Sequence, residues 1–244
     1  MTSPGKENLI NIVKNRDEVV TKLSNLIKKV SDERIAKQGF FNIGVSGGSL
    51  VGFLKEGLPK IQADFSKWRV FFCDERVVPE DSPDSTFGRY KQHLIGATNL
   101  KENQFVTIKQ GIPAAQAAED YARQMPMYFP GENVPKFDML LLRMGPDGHT
   151  CSLFPGHELL EEKSKWVSPI TDSPKPPPAR VTLTFPVINS ALYCVFAACG
   201  TEKATMVKRI LVNKEDLPAT RVKPVGGNLV WILDEAAGEY VKAV

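Results

Sequence analysis

The sequence predicts an α/β fold: a mainly parallel sheet with helices on both faces, Rossmann-like in plan, in a single domain spanning residues 1–244. Two observations carry this. Short strand-like runs alternate with helix-like runs along the chain. Several of the strand-like runs, residues 137–144 above all, are apolar on both faces, as strands covered from both sides must be. A length of 244 residues suits one sizeable core.

Each element has its own local reason. Residues 17–37 set Val19, Val20, Leu23, Leu26, Ile27 and Val30 at helical spacing. Residues 40–45 form a short apolar run that stops at Ser46-Gly47-Gly48, and a helical pattern follows over 49–58. Residues 68–73 read as a strand with Asp74-Glu75-Arg76 at its end. Helix is expected over 86–94, strand over 105–108, and an alanine-rich helix over 114–127. The run 137–144 leads into Gly145-Pro146-Asp147-Gly148-His149. Strands over 181–185, 192–199 and 229–233 and a helix over 201–212 complete the pattern. No internal repeat is visible, and the one biased patch, residues 173–178, is a stiff polyproline-like loop.

Composition excludes several classes. Hydrophobic residues make up 42% and charged residues 24%, ordinary for a globular protein. The net charge of +3 is spread along the chain, which argues against a dedicated nucleic-acid binder and weakly favours a small anionic substrate. Cys73, Cys151, Cys194 and Cys199 form no Cys-x-x-Cys pair, and three lie in or beside apolar runs, so a reducing compartment is expected rather than a disulfide framework. Residues 1–8 carry no apolar signal core, and no apolar stretch is long enough to cross a bilayer. A cytoplasmic protein with no membrane partner is the expectation.

Ligands gather at the carboxyl ends of strands in open parallel sheets, and the chemistry-bearing segments fall there. Ser46, Gly47, Gly48 and Ser49 follow a strand and open a helix. Glycines let backbone N–H groups approach an anion, and the helix start adds free N–H groups and a positive dipole end. A phosphate cradle and a plain turn with serine as helix cap both fit this segment. The segment 145–150 is sharper, because Pro146 and the flanking glycines fix a loop that holds His149 in place. Histidine takes and returns a proton near neutral pH. Asp147 stands close enough to orient the imidazole or to shape the loop. Arg76, Arg180 and Lys203 are candidate anion ligands, each with a solvated surface charge as the alternative. Lys203 falls in the first turn of its expected helix, where its charge opposes the helix dipole.

Other chemistries fit less well. Residues 44–48 match the Gly-x-Ser-x-Gly nucleophile elbow of serine esterases, but only about one strand precedes Ser46, and His149 follows Asp147 by two positions. His149 and His157 are eight apart and no metal-ligand spacing appears, so no metal is expected. Cys151 lies beside the histidine loop and reads as packing.

Taken together, the segments 44–49, 73–79, 145–155, 173–178, 180–189 and 231–237 resemble the 6-phosphogluconolactonase family, in a form most similar to the animal enzymes. The resemblance implies an α/β fold shared with glucosamine-6-phosphate deaminases. It implies hydrolysis of a phosphorylated sugar lactone in the oxidative pentose phosphate pathway, without a cofactor. It makes His149 the general base, places residues 46–49, Arg76 and Lys203 on the phosphate side, and sets Arg180 near the substrate. A monomer is favoured. The deaminase pattern supplies an acid after its histidine, whereas Thr150-Cys151-Ser152-Leu153-Phe154-Pro155 supplies none. A sugar-phosphate sensor without turnover is a further alternative. One departure stands out: Arg143 occupies a position that is usually glycine in that family, and a long cation at the end of a buried strand must reach solvent, a carboxylate or the ligand.

Overall fold

A computed structural model describes residues 8–241. The polar opening segment, residues 1–7, in which no signal core is read, lies outside the described residues. The strands are β1 (Asn8–Val13), β2 (Phe41–Val45), β3 (Trp68–Phe72), β4 (Asp74–Arg76), β5 (Phe105–Val106), β6 (Met139–Leu142), β7 (Val167–Ile170), β8 (Arg180–Leu183), β9 (Tyr193–Ala198) and β10 (Asn228–Asp234). The helices are α1 (Arg16–Gln38), α2 (Ser49–Gly57), α3 (Thr86–Leu94), α4 (Ala114–Gln124), α5 (Phe185–Ile188) and α6 (Thr201–Val207).

Seven strands form one parallel sheet in the order β1-β10-β9-β6-β2-β3-β5. From β2 the chain winds outward to β3 and β5, then returns to lay β6 on the other side of β2. The junction of β2 and β6 is therefore the topological switch point, where open α/β sheets bind ligands. Alternation along β6 fills two cores. Met139 and Leu141 join Phe41, Ile43, Val70, Phe72 and the apolar faces of α1, α2 and α3. Leu140 and Leu142 face the opposite way, with Phe71, Phe196 and Trp231 and with α4 and α6. The strands are thus buried on both faces, as the sequence predicts.

One expected strand lies outside the parallel sheet. The strand expected over 181–185 is β8, and it belongs to a second, three-stranded antiparallel sheet in the order β4-β8-β7. The chain leaves the main sheet after Phe72, and Asp74–Arg76 pairs with Arg180–Thr182. The expected helix over 201–212 keeps α-helical form only to Val207 and continues as a wider π turn over Lys208–Val212. Among the described residues, no helix is long and apolar enough to cross a membrane. All four cysteines are free thiols.

Candidate active site

A narrow cleft opens at the switch point, lined by Ser46, Gly47, Asp74, Arg76, Arg143, His149, Cys151 and Arg180. Three segments that leave β2, β3 and β6 at their carboxyl ends supply all of these except Arg180, which comes from β8. A larger groove between α1 and the strands β1, β9 and β10 shares no residue with this cleft.

The loop after β6 is a tight, self-bonded turn. Gly145 N donates to His149 O at 2.8 Å, and Gly148 N donates to Gly145 O at 3.0 Å. Gly148 takes a φ of +82°, which a residue with a side chain adopts only under strain. Gly145 has a different role: a Cβ there would overlap the imidazole of His149. The His149 ring is 4% exposed and packs against Phe154, with ring centroids 4.7 Å apart. Nδ1 of His149 lies 2.5 Å from Oδ1 of Asp147, while Nε2 makes no hydrogen bond among the described residues. With Asp147 ionised, Nδ1 carries the proton and Nε2 presents its lone pair. Burial pushes the His149 pKa below its ordinary value, Asp147 pulls it upward, and Lys175 and Arg143 press it down again. The net shift is downward, so the ring is neutral and able to accept a proton at neutral pH. Burial works to raise the Asp147 pKa, but His149 and Lys175 outweigh it and keep the carboxylate ionised.

The proline-rich segment is built into the site. Its carbonyls at Lys175, Pro176 and Pro177 accept hydrogen bonds from the Arg180 guanidinium at 2.8, 3.2 and 3.0 Å. Nζ of Lys175 reaches to 3.6 Å from Asp147. Arg180 is 3% exposed, stacks over Phe154, and directly faces Arg76 across the β4–β8 pair. Arg76 donates to the carbonyl of Asp84 at 3.1 Å. Like charges opposed across two strands repel, so this pairing disfavours the empty cleft and favours an anion within it. Asp74, buried beside them, accepts a hydrogen bond from Ser152 at 2.8 Å.

The serine loop divides by role. Ser46 donates its Oγ proton to the carbonyl of Leu141 at 2.9 Å, and its own carbonyl accepts from Tyr90 at 2.7 Å. A serine nucleophile needs that proton directed at a base, so this geometry runs against the esterase reading. Gly48 takes a φ of +70° as the chain enters α2, and no side chain caps the helix there. The free N–H groups expected of an anion cradle are therefore present. Ser49 is exposed at the helix start. Lys203 lies half-buried in the first turn of α6, at the carboxyl end of β9, and is not among the residues lining the cleft. Glu75 points away from the cleft. Its carboxylate accepts from the backbone N–H groups of Arg76, Thr86 and Phe87 at 2.7 to 2.8 Å, closing the start of α3.

Sequence reasoning left two groups at the site without a role. Asp74 stands in a motif whose strand breaks away from the main sheet, and Lys175 sits in a loop that reads only as stiff. Cys151 lies in the left-handed region at φ +52°, with its thiol against that of Cys73. That neighbouring thiol, and after it burial, push its pKa well up, which leaves it a packed thiol rather than a nucleophile.

Fold and cleft together define an α/β enzyme of small anionic substrates. The comparisons narrow the class. Residues 14–231 match the family described as glucosamine-6-phosphate isomerases/6-phosphogluconolactonase, and the chain belongs to that family. It is 48% identical over 240 residues to the 6-phosphogluconolactonase of Rattus norvegicus, covering 96% of this chain and 93% of the relative. Against the Homo sapiens 6-phosphogluconolactonase it is 46% identical over 241 residues, with the same coverage. The solved 6-phosphogluconolactonase from Thermotoga maritima superposes with a TM-score of 0.82 at 26% identity, covering 93% of this chain and 100% of that one. That from Trypanosoma brucei gives 0.83 at 25% identity, covering 98% and 100%.

Proposed function

We propose that this chain hydrolyses 6-phospho-D-glucono-1,5-lactone to 6-phosphogluconate in the oxidative pentose phosphate pathway, with His149 as the general base. The observation that carries the reading is the imidazole itself: Nδ1 is held by Asp147, Nε2 is unpaired, and the ring shares one small cleft with Arg76 and Arg180. Relatives that carry this activity by name match nearly the whole chain at 46–48% identity.

The phosphate docks at the start of α2, on the loop of Ser46, Gly47, Gly48 and Ser49, with Arg76 and Lys203 balancing its charge. Arg180, held by the proline loop, lines the same side. Nε2 of His149 takes a proton from water as the water oxygen bonds to the lactone carbonyl carbon. The tetrahedral oxyanion then collapses and the bond from that carbon to the ring oxygen breaks. The same proton passes from His149 to the departing ring oxygen, leaving a carboxylic acid that ionises in solution. Asp147 stabilises the imidazolium that forms between the two transfers. The family also holds deaminases, but residues 150–155 carry no carboxylate to open a sugar ring. The substrate is a phosphorylated sugar lactone, with no nucleic acid or membrane involved, and a cytoplasmic monomer suits such a task.

The test is lactone loss followed above its spontaneous hydrolysis with a chelator present. The wild-type protein accelerates that loss, and His149→Ala lowers kcat by about 10²-fold or more. A His149→Ala rate close to wild type rejects the base assignment.

A further inference from the structure

Arg143 is the first residue beyond β6, at the switch point. Its side chain crosses to the neighbouring segment after β2 and lies over Gly48: a Cβ on Gly48 would stand 2.7 Å from both Cδ and Nε of Arg143. The guanidinium is thus parked on the start of α2, where the helix presents its positive end. It lines the same cleft as Arg76 and Arg180. Those two cations each have carbonyl partners, in Asp84 and in the proline loop. Arg143 makes no hydrogen bond or ion pair among the described residues. The carboxylates with which it interacts are already engaged, Asp74 by Ser152 and Asp147 by His149.

A half-buried guanidinium without a partner, set between two arginines and a helix start, is costly in an empty cleft. A doubly charged anion removes the cost, because a planar fork of donors matches phosphate oxygens. We infer that Arg143 is a specificity-determining residue that binds the phosphoryl group of the substrate directly, completing the site at the start of α2. The inference rests on the lactonase reading for the identity of the substrate, and on the position of the side chain for the anion. Its partner on the opposite wall is Gly48, which has no Cβ and leaves the guanidinium room to lie flat.

The experiment compares wild type with Arg143→Gly and Arg143→Lys on two substrates, the phosphorylated lactone and plain glucono-1,5-lactone, and measures inorganic phosphate binding by calorimetry. For Arg143→Gly the expected result is a KM for the phosphorylated lactone raised about 10- to 100-fold, the scale of a charged hydrogen-bonded contact. Its kcat changes by less than about threefold, kcat/KM for the unphosphorylated lactone, compared well above pH 6.5 because Arg143 also bears on the His149 pKa, falls far less than that for the phosphorylated one, and phosphate binding weakens in parallel with KM. Arg143→Lys falls between, since it keeps the charge and loses the fork. An unchanged or lowered KM in Arg143→Gly overturns the inference, because the guanidinium is then idle or obstructive. Equal phosphate binding in wild type and Arg143→Gly, or none in either, overturns it as well. The calorimetry needs no turnover. A wild-type protein that hydrolyses no lactone, yet binds phosphate through Arg143, therefore sinks the lactonase reading alone.

Discussion

A methyl group on Gly145 and the ring of His149 cannot occupy the same space, so the imidazole holds its place only while residue 145 has no side chain. Gly145→Ala therefore displaces the base without removing it. The expected result is a kcat reduced about 10²-fold, close to that of His149→Ala, with phosphate binding retained. The pH profile tests the same ring. Nε2 must be unprotonated to act, so kcat/KM falls as pH drops through the His149 pKa. Burial, aided by Lys175 and Arg143, sets that pKa below 6.5, and the acid limb of the profile lies below 6.5 with it. Asp147 pulls the pKa upward, so Asp147→Asn moves the limb to lower pH and lowers kcat, the imidazolium having lost its counter-charge. Lys175 presses the pKa down, so Lys175→Met moves the limb to higher pH. Opposite displacements in the two variants are the signature, measured as kcat/KM against pH. Movement in the same direction removes the electrostatic account of this site.

Glu75 shows how an element can be set by a residue whose local sequence conceals its role. It sits between Asp74 and Arg76 in a polar triplet that suggests an ion pair, yet its carboxylate is 2% exposed and closes α3 through Thr86 and Phe87. Burial raises its pKa, and the three backbone donors oppose that rise. Glu75→Gln sets an NH₂ group against backbone N–H donors. The expected loss is about 1–3 kcal/mol in urea unfolding, the cost of a buried polar group left unpaired. Because Arg76 is the next residue, KM also rises. The main-sheet strands β2, β3, β6 and β9 and the start of every long helix are legible in the sequence, because apolar periodicity and its interruption are local signals. What escapes is set at long range. Strand β1 is an edge strand whose partner β10 lies some 220 residues away, as the Asn11 to Trp231 contact shows. Strand β4 is three polar residues, and β7 carries Pro169, which the edge of a small antiparallel sheet tolerates. The site follows the same rule: the His149 loop announces itself through glycine and proline, whereas the positions of Arg143 and Lys175 depend on how separate segments meet.

At the scale of the molecule, one sheet joins two cores that do not otherwise share a wall, and the cleft sits where the winding reverses between them. Cooperativity must pass through the strands, since Leu140 and Leu141 of β6 belong to opposite cores although adjacent in sequence. Trp231 tests this away from the chemistry. Its ring stacks on Phe196 at 4.2 Å with planes 9° apart, and both rings are 1% exposed. Neither β9 nor β10 contributes a residue to the cleft lining. Trp231→Ala should therefore cost about 3–5 kcal/mol through the cavity it leaves, with kcat and KM of the folded enzyme unchanged. Two indole reporters remain in that variant. Trp68 lies in the core formed by α1, α2 and α3, and Trp166 packs against the opposite core. If the sheet unites the two cores, tryptophan fluorescence and far-UV circular dichroism give one coincident urea transition, displaced to lower denaturant from that of wild type. A fluorescence change that precedes the loss of circular dichroism would show that one of the two cores opens alone. The parallel sheet would then be a seam between two folding units, with the cleft lying across it.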